Sequence, residues 1–154
     1  MSQPANIKSR IIDALYCEAL VLSDEVRSAF DLSGRLDMAV DCEDAARVAL
    51  SCEALRTTTR MMHALAWLLN HRAFYAGELS EFQLRRYGRL SPDYPGGDRD
   101  RLALLDSEIR KLVGQTETFY ARLLRLDRGW RNTEPPVVGA IDRLRERLGY
   151  AIAS

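Results

Sequence analysis

Histidine is nearly missing from this chain: His63 and His71 are the only two. Eight residues of α-helix would set them about 80° apart around the axis, too far to share a metal. Cysteine is scarce too. Cys17, Cys42 and Cys52 form no CxxC pair, which excludes a zinc knot or a thioredoxin-like motif and leaves each as a small hydrophobe in a helix. Phosphate-binding GxxxxGK[ST], dinucleotide-binding GxGxxG and zinc-binding HExxH are all absent, as are the Glu-x-x-His pairs of two-metal helical proteins. Ser51 and Thr57–Thr59 read as helix residues bonding nearby carbonyls. No catalytic residue, cofactor site or metal site is therefore expected, and the protein is not expected to be an enzyme.

Charge of one sign is also lacking. Lysine plus arginine equals aspartate plus glutamate at 22 each, without the basic excess typical of a nucleic-acid binder. What unevenness there is fits helix ends: Asp37, Asp41, Glu43 and Asp44 form an acidic group, and Arg122, Arg125, Arg128 and Arg131 a basic one. The opening MSQPANIKSR has no apolar core of a secretory signal. The uncharged window 61–71 is far short of the roughly 18 residues of a membrane span. The expectation is a cytoplasmic protein with reduced thiols and no membrane partner.

No stretch alternates with a period of two, so β-structure is not expected. What is present is helical periodicity. Residues 7–32 carry the seam Ile12, Leu15, Ala19, Leu22, Val26 and Ala29, closed by Gly34. A second segment, about 40–75, meets no proline or glycine until Gly77. A third, 99–127, has the seam Leu102, Leu105, Ile109, Leu112, Thr116, Phe119, Leu123 and Leu126, with Gly129 as its stop. Pro135 and Pro136 introduce a shorter carboxyl-terminal helix, 136–152, whose face is Val137, Ile141, Leu144, Leu148 and Ile152. Residues 87–98, with Pro92, Pro95, Gly96 and Gly97, read as loop. The expected fold is all-α: an antiparallel three-helix bundle in a single domain, 1–154, with its core in about 7–127.

The second helix carries apolar residues in excess. Leu50, Ala54, Leu55, Thr58, Met61, Met62, Leu65, Ala66, Leu68, Leu69 and Ala73 occupy an arc of roughly 160°, wide enough to meet two neighbours. Leu22, Leu55, Met62, Leu65, Leu69, Leu105, Leu112 and Phe119 are accordingly expected to be buried together. Trp67 and Phe74 fall on the other side, among Arg56, Arg60, His63 and His71. Aromatic, arginine and histidine side chains on a rim of small residues have the composition of a protein–protein hot spot. These six residues are the candidate interaction site, covered by a second copy of the chain. The alternative is that the 136–152 helix hides both rings within one chain.

The stretch CEALRTTTRMMHALAWLLNHRAFYAGELS, residues 52–80, resembles the alphaproteobacterial family named for its regulator of CtrA degradation, also catalogued as a domain of unknown function, DUF1465. The matching pattern is Glu53, Arg56, Thr58, Arg60, Met62, Trp67-Leu68-Leu69, Arg72-Ala73 and Gly77-Glu78. The resemblance implies a homodimeric three-helix bundle without enzymatic activity. It implies an adaptor for the ATP-dependent ClpXP protease in regulated proteolysis of cell-cycle proteins, with the protease unfoldase, other adaptor proteins and protein cargo as partners. A nucleic-acid or other regulatory-complex subunit using the basic residues of the third helix is the alternative; steeply salt-dependent DNA retention would mark it.

Overall fold

A computed structural model describes residues 5–34, 44–91, 99–132, 144–145, 147–149 and 151–152. Among these the chain is all-helical and no residue lies in a strand. The helices are α1 (Ala5–Gly34), α2 (Asp44–Tyr75), α3 (Glu81–Tyr87), α4 (Arg99–Leu102) and α5 (Ser107–Asn132). Helical residues recur at 144–145, 147–149 and 151–152, where Leu144, Leu148 and Ile152 are exposed. Cys42, Asp37, Asp41, Glu43, Pro92, Pro95, Gly96, Gly97, Val137 and Ile141 lie outside the described residues. By internal contacts the chain forms two compact units, Met1–Leu124 and Arg125–Ser154.

In the first unit, α1 buries Ile12, Leu15, Ala19, Leu22 and Val26, the seam expected from its 3-4 spacing. α2 stops where Gly77 takes φ 80°. There the Gly77 amide donates to the Phe74 carbonyl at 3.0 Å and the Glu78 amide to Ala73 at 2.9 Å. This paired closure needs a left-handed residue, which glycine adopts without a Cβ clash. α3 follows at once with a reciprocal cap: the Gln83 amide donates to Ser80 Oγ, and the Ser80 amide to Gln83 Oε1.

The expected third helix is two helices. Leu102 belongs to α4 and Leu105 to the turn after it, and α5 begins at Ser107. Asp106 stands just before α5 and its carbonyl accepts from the Arg110 amide at 3.0 Å, an aspartate in the preferred capping position. Leu105, Ile109, Leu112, Thr116, Phe119 and Leu123 are nevertheless all buried. At its other end α5 runs past Gly129 to Asn132. An ion pair one turn apart, Arg131 to Asp127, brackets that glycine.

Helix directions also differ from the fully antiparallel expectation. Arg72, near the end of α2, reaches Asp13 at 3.2 Å and lies over the Tyr16 ring, near the start of α1. Phe30, near the end of α1, packs on a cluster of Ala49, Leu105, Ile109 and Val113. Farther along both α2 and α5, Arg60 meets Thr116 and Glu117. Thus α1 is antiparallel to α2, whereas α2 and α5 advance in the same direction. The segment between them carries α3 and α4. Its first part is anchored: Gly88 and Leu90 are buried, and Tyr120 Oη donates to the Ser91 carbonyl at 3.0 Å. A Cβ at Gly88 would lie 2.5 Å from the Leu84 carbonyl oxygen, so glycine is required there.

Candidate interaction surface

α2 is turned about its axis from the orientation its apolar arc suggests. Its buried residues are Ala49, Glu53, Thr57, Arg60, Met61, Ala64, Trp67, Leu68 and His71. Leu22, Leu105, Leu112 and Phe119 are buried as expected, and Leu65 is half-buried. Leu55, Met62 and Leu69 are not: they are 69%, 64% and 48% exposed.

Polar side chains take the inward position because they find partners or neighbours there. Arg60 is 1% exposed; its Nη1 donates to Thr116 Oγ1 at 3.0 Å and its Nη2 lies 3.6 Å from Glu117 Oε1. Thr116 in turn donates to the Val113 carbonyl at 2.7 Å. The planar arginine fork thus joins α2 to α5 while its stem packs among apolar groups. Trp67, 2% exposed, sits one heptad later on the same face, with the His71 ring centred 4.2 Å away. Glu53 is fully buried, with Arg56 Nη1 3.5 Å from its Oε1. Its Oε2 and the Thr57 hydroxyl are buried without a hydrogen-bond partner among the described residues, an arrangement that costs stability.

The six sequence-derived site residues therefore separate. Arg60, Trp67 and His71 are inside the single chain, so they correct the expectation of a face lying open to a second copy. Arg56 and Phe74 are half-buried, Phe74 with its ring edge-on to Tyr75 at 5.2 Å. Only His63 is exposed. The basic group on α5 is partly spent in pairs: Arg122 bonds Glu18 and Arg131 bonds Asp127. Among the described residues no cluster of three metal-ligating side chains occurs. None of the described helices is long and apolar enough to cross a membrane.

Three residues expected in the core, Leu55, Met62 and Leu69, lie outside in a regular stripe with Val48. Val48, Leu55, Met62 and Leu69 are spaced by seven residues and all exposed. Interleaved with them are Ala45, Cys52, Thr59, Ala66 and Ala73, all small and none buried. Large and small residues alternating by three and four are the pattern of a helix seam that meets another helix closely. The seven-residue spacing of the four large side chains was the available signal.

A family model described as "Protein of unknown function (DUF1465)" matches residues 3–152. Neither a curated protein nor a solved structure matches. Because the match covers nearly the whole chain, the protein belongs to the DUF1465 family.

Proposed function

We propose that this is a non-enzymatic interaction protein of the cytoplasm, built as a three-helix bundle that pairs with a second copy and serves as an adaptor in regulated proteolysis. The observation that carries the reading is the outward stripe Val48, Leu55, Met62 and Leu69 on α2. A monomer gains nothing by holding four large apolar side chains in water at heptad spacing, while burying each is worth about 1.5–3 kcal/mol. The stripe is about 30 Å long and is self-complementary when two copies cross antiparallel. A two-fold axis near Thr58 and Thr59 sets Leu55 of one copy against Met62 of the other, as an isologous interface demands.

The adaptor role follows from the family resemblance carried by residues 52–80, with the ClpXP unfoldase, other adaptors and protein cargo as partners. Within that pattern Glu53, Arg60 and Trp67 are buried, and Met62 and Leu69 stand on the outer stripe of α2. The nucleic-acid alternative is weakened by the in-chain pairing of Arg122 and Arg131. The test is retention of purified ClpX unfoldase on the immobilised protein, beside a DNA column run across a salt gradient. Retention of the unfoldase with no DNA binding supports the adaptor; DNA retention that falls steeply with salt favours the alternative.

A further inference from the structure

α2 carries two seams on opposite sides. Glu53, Thr57, Arg60, Ala64, Trp67 and His71, spaced by four and three, are all buried; Val48, Leu55, Met62 and Leu69, spaced by seven, are all exposed. At about 100° per residue the two sets point roughly 170° apart, so half a turn of the helix would exchange them. The exchange would uncover Trp67 and cover four large apolar side chains in its place. Burial of apolar surface therefore does not by itself hold the helix as it stands. The seam now inside holds two charged side chains, Glu53 and Arg60, and the stripe now outside holds none.

Those two charges are held unequally. Glu53 is fully buried, yet Arg56 Nη1 approaches its Oε1 only to 3.5 Å, and its Oε2 has no hydrogen-bond partner among the described residues. A carboxylate placed in this way gains by turning toward water. Arg60 is tied down. Its Nη1 donates to Thr116 Oγ1 at 3.0 Å, its Nη2 lies 3.6 Å from Glu117 Oε1, and Thr116 is itself fixed by donating to the Val113 carbonyl. These contacts join α2 to α5 and require the polar seam to face inward.

We propose that the tie from Arg60 to Thr116 and Glu117 is a latch on a two-state helix. Engaged, it holds α2 with the apolar stripe outward. Released, α2 turns about its own axis, puts Arg60 into water and buries the stripe. Thr116 and Glu117 are then positioning residues for a contact surface that lies on another helix. The inference rests on the reading of that stripe as a contact surface, but its test reads the orientation of α2 in the single chain, so it is decided whether or not the protein pairs.

Thr116→Val with Glu117→Met removes the α5 side of the latch and leaves α2 unchanged. A buried charge stripped of its partners is strongly unfavourable, whereas removing both sides of a buried pair is nearly neutral. Two readings follow the orientation. One is acrylamide quenching of Trp67, with Trp130→Phe to silence the second tryptophan, which needs no dissociation. The other is thiol modification of Met62→Cys, located by peptide mass, at a dilution where sedimentation gives one chain's mass. With the latch intact, Trp67 is shielded and the thiol reacts freely. Without it, Trp67 is quenched and the thiol reacts about tenfold more slowly or less, as expected where the outward state falls to a tenth of molecules. Helical circular dichroism and cooperative melting are retained. Adding Arg60→Leu removes the stranded charge and restores both readings, a rescue that a plain loss of packing would not show. Trp67 still shielded, the thiol still reactive, loss of cooperative melting without the latch, or no rescue by Arg60→Leu overturns the proposal.

Discussion

The two faces of α2 invert the usual rule. The inward face holds Glu53, Thr57, Arg60 and His71 beside Trp67, while the outward face holds Val48, Leu55, Met62 and Leu69. On α1 the apolar seam points inward as amphipathicity requires. The contrast teaches that apolar content alone does not choose a helix's buried side when both sides are partly apolar. Partners choose it: Arg60 finds Thr116 and Glu117 on α5, and Trp67 finds His71 and the interior. The face left outside is then the one best suited to another helix.

The largest expected effect tests the inner face. Trp67→Ala should lower unfolding free energy by roughly 3–5 kcal/mol, as for other large aromatics removed from cores, read from urea denaturation at a fixed protein concentration. A loss below 1 kcal/mol would mean the ring is not a core element. Arg60→Ala comes next, at about 1.5–3 kcal/mol, because it deletes a charged hydrogen bond and a packed stem together. Arg60→Met should lose less, since the stem is kept and Thr116 still donates to the Val113 carbonyl. Equal losses in the two variants would show that charge, not packing, dominates. Thr57→Val has the opposite sign. Replacing an unpartnered buried hydroxyl by a methyl of similar shape should stabilise by about 1 kcal/mol, seen as a higher urea midpoint at unchanged slope.

The smallest intrinsic effect belongs to the outer face. Leu55→Ala should change stability by no more than about 0.5 kcal/mol at the lowest workable protein concentration, as expected of an exposed position. Its loss should grow as concentration rises, because association adds to apparent stability by mass action. A concentration-independent loss of several kcal/mol would place Leu55 inside the fold after all.

Much of the fold is legible in the residues. The α1 seam and the α5 seam from Ile109 to Leu123 follow directly from 3-4 spacing, and Gly77 marks the end of α2. The break at Asp106 and Ser107 escapes notice because Leu102, Leu105 and Ile109 keep helical spacing across it. The parallel course of α2 and α5 is set by a segment whose turns hold no strong direction signal. The orientation of α2 is the hardest feature: its apolar residues nearly encircle it, and the deciding contacts, Arg60 with Thr116 and Glu117, join positions more than fifty apart in the chain. Composition singles out Trp67 and Arg60, which are special because they are buried. The interval of seven is visible in the sequence, but apolar character alone assigns Leu55, Met62 and Leu69 to the core.

Light scattering on the purified protein and on Met62→Glu tests the central claim most directly. A charge at the middle of the outer stripe removes a buried contact from each copy of a pair and leaves an exposed position of the single chain undisturbed. The account predicts a dimer's mass for the wild-type protein, and for Met62→Glu a monomer's mass with the helical circular dichroism and its cooperative melting retained. A wild-type monomer, or a Met62→Glu protein that keeps the dimer's mass, would contradict it.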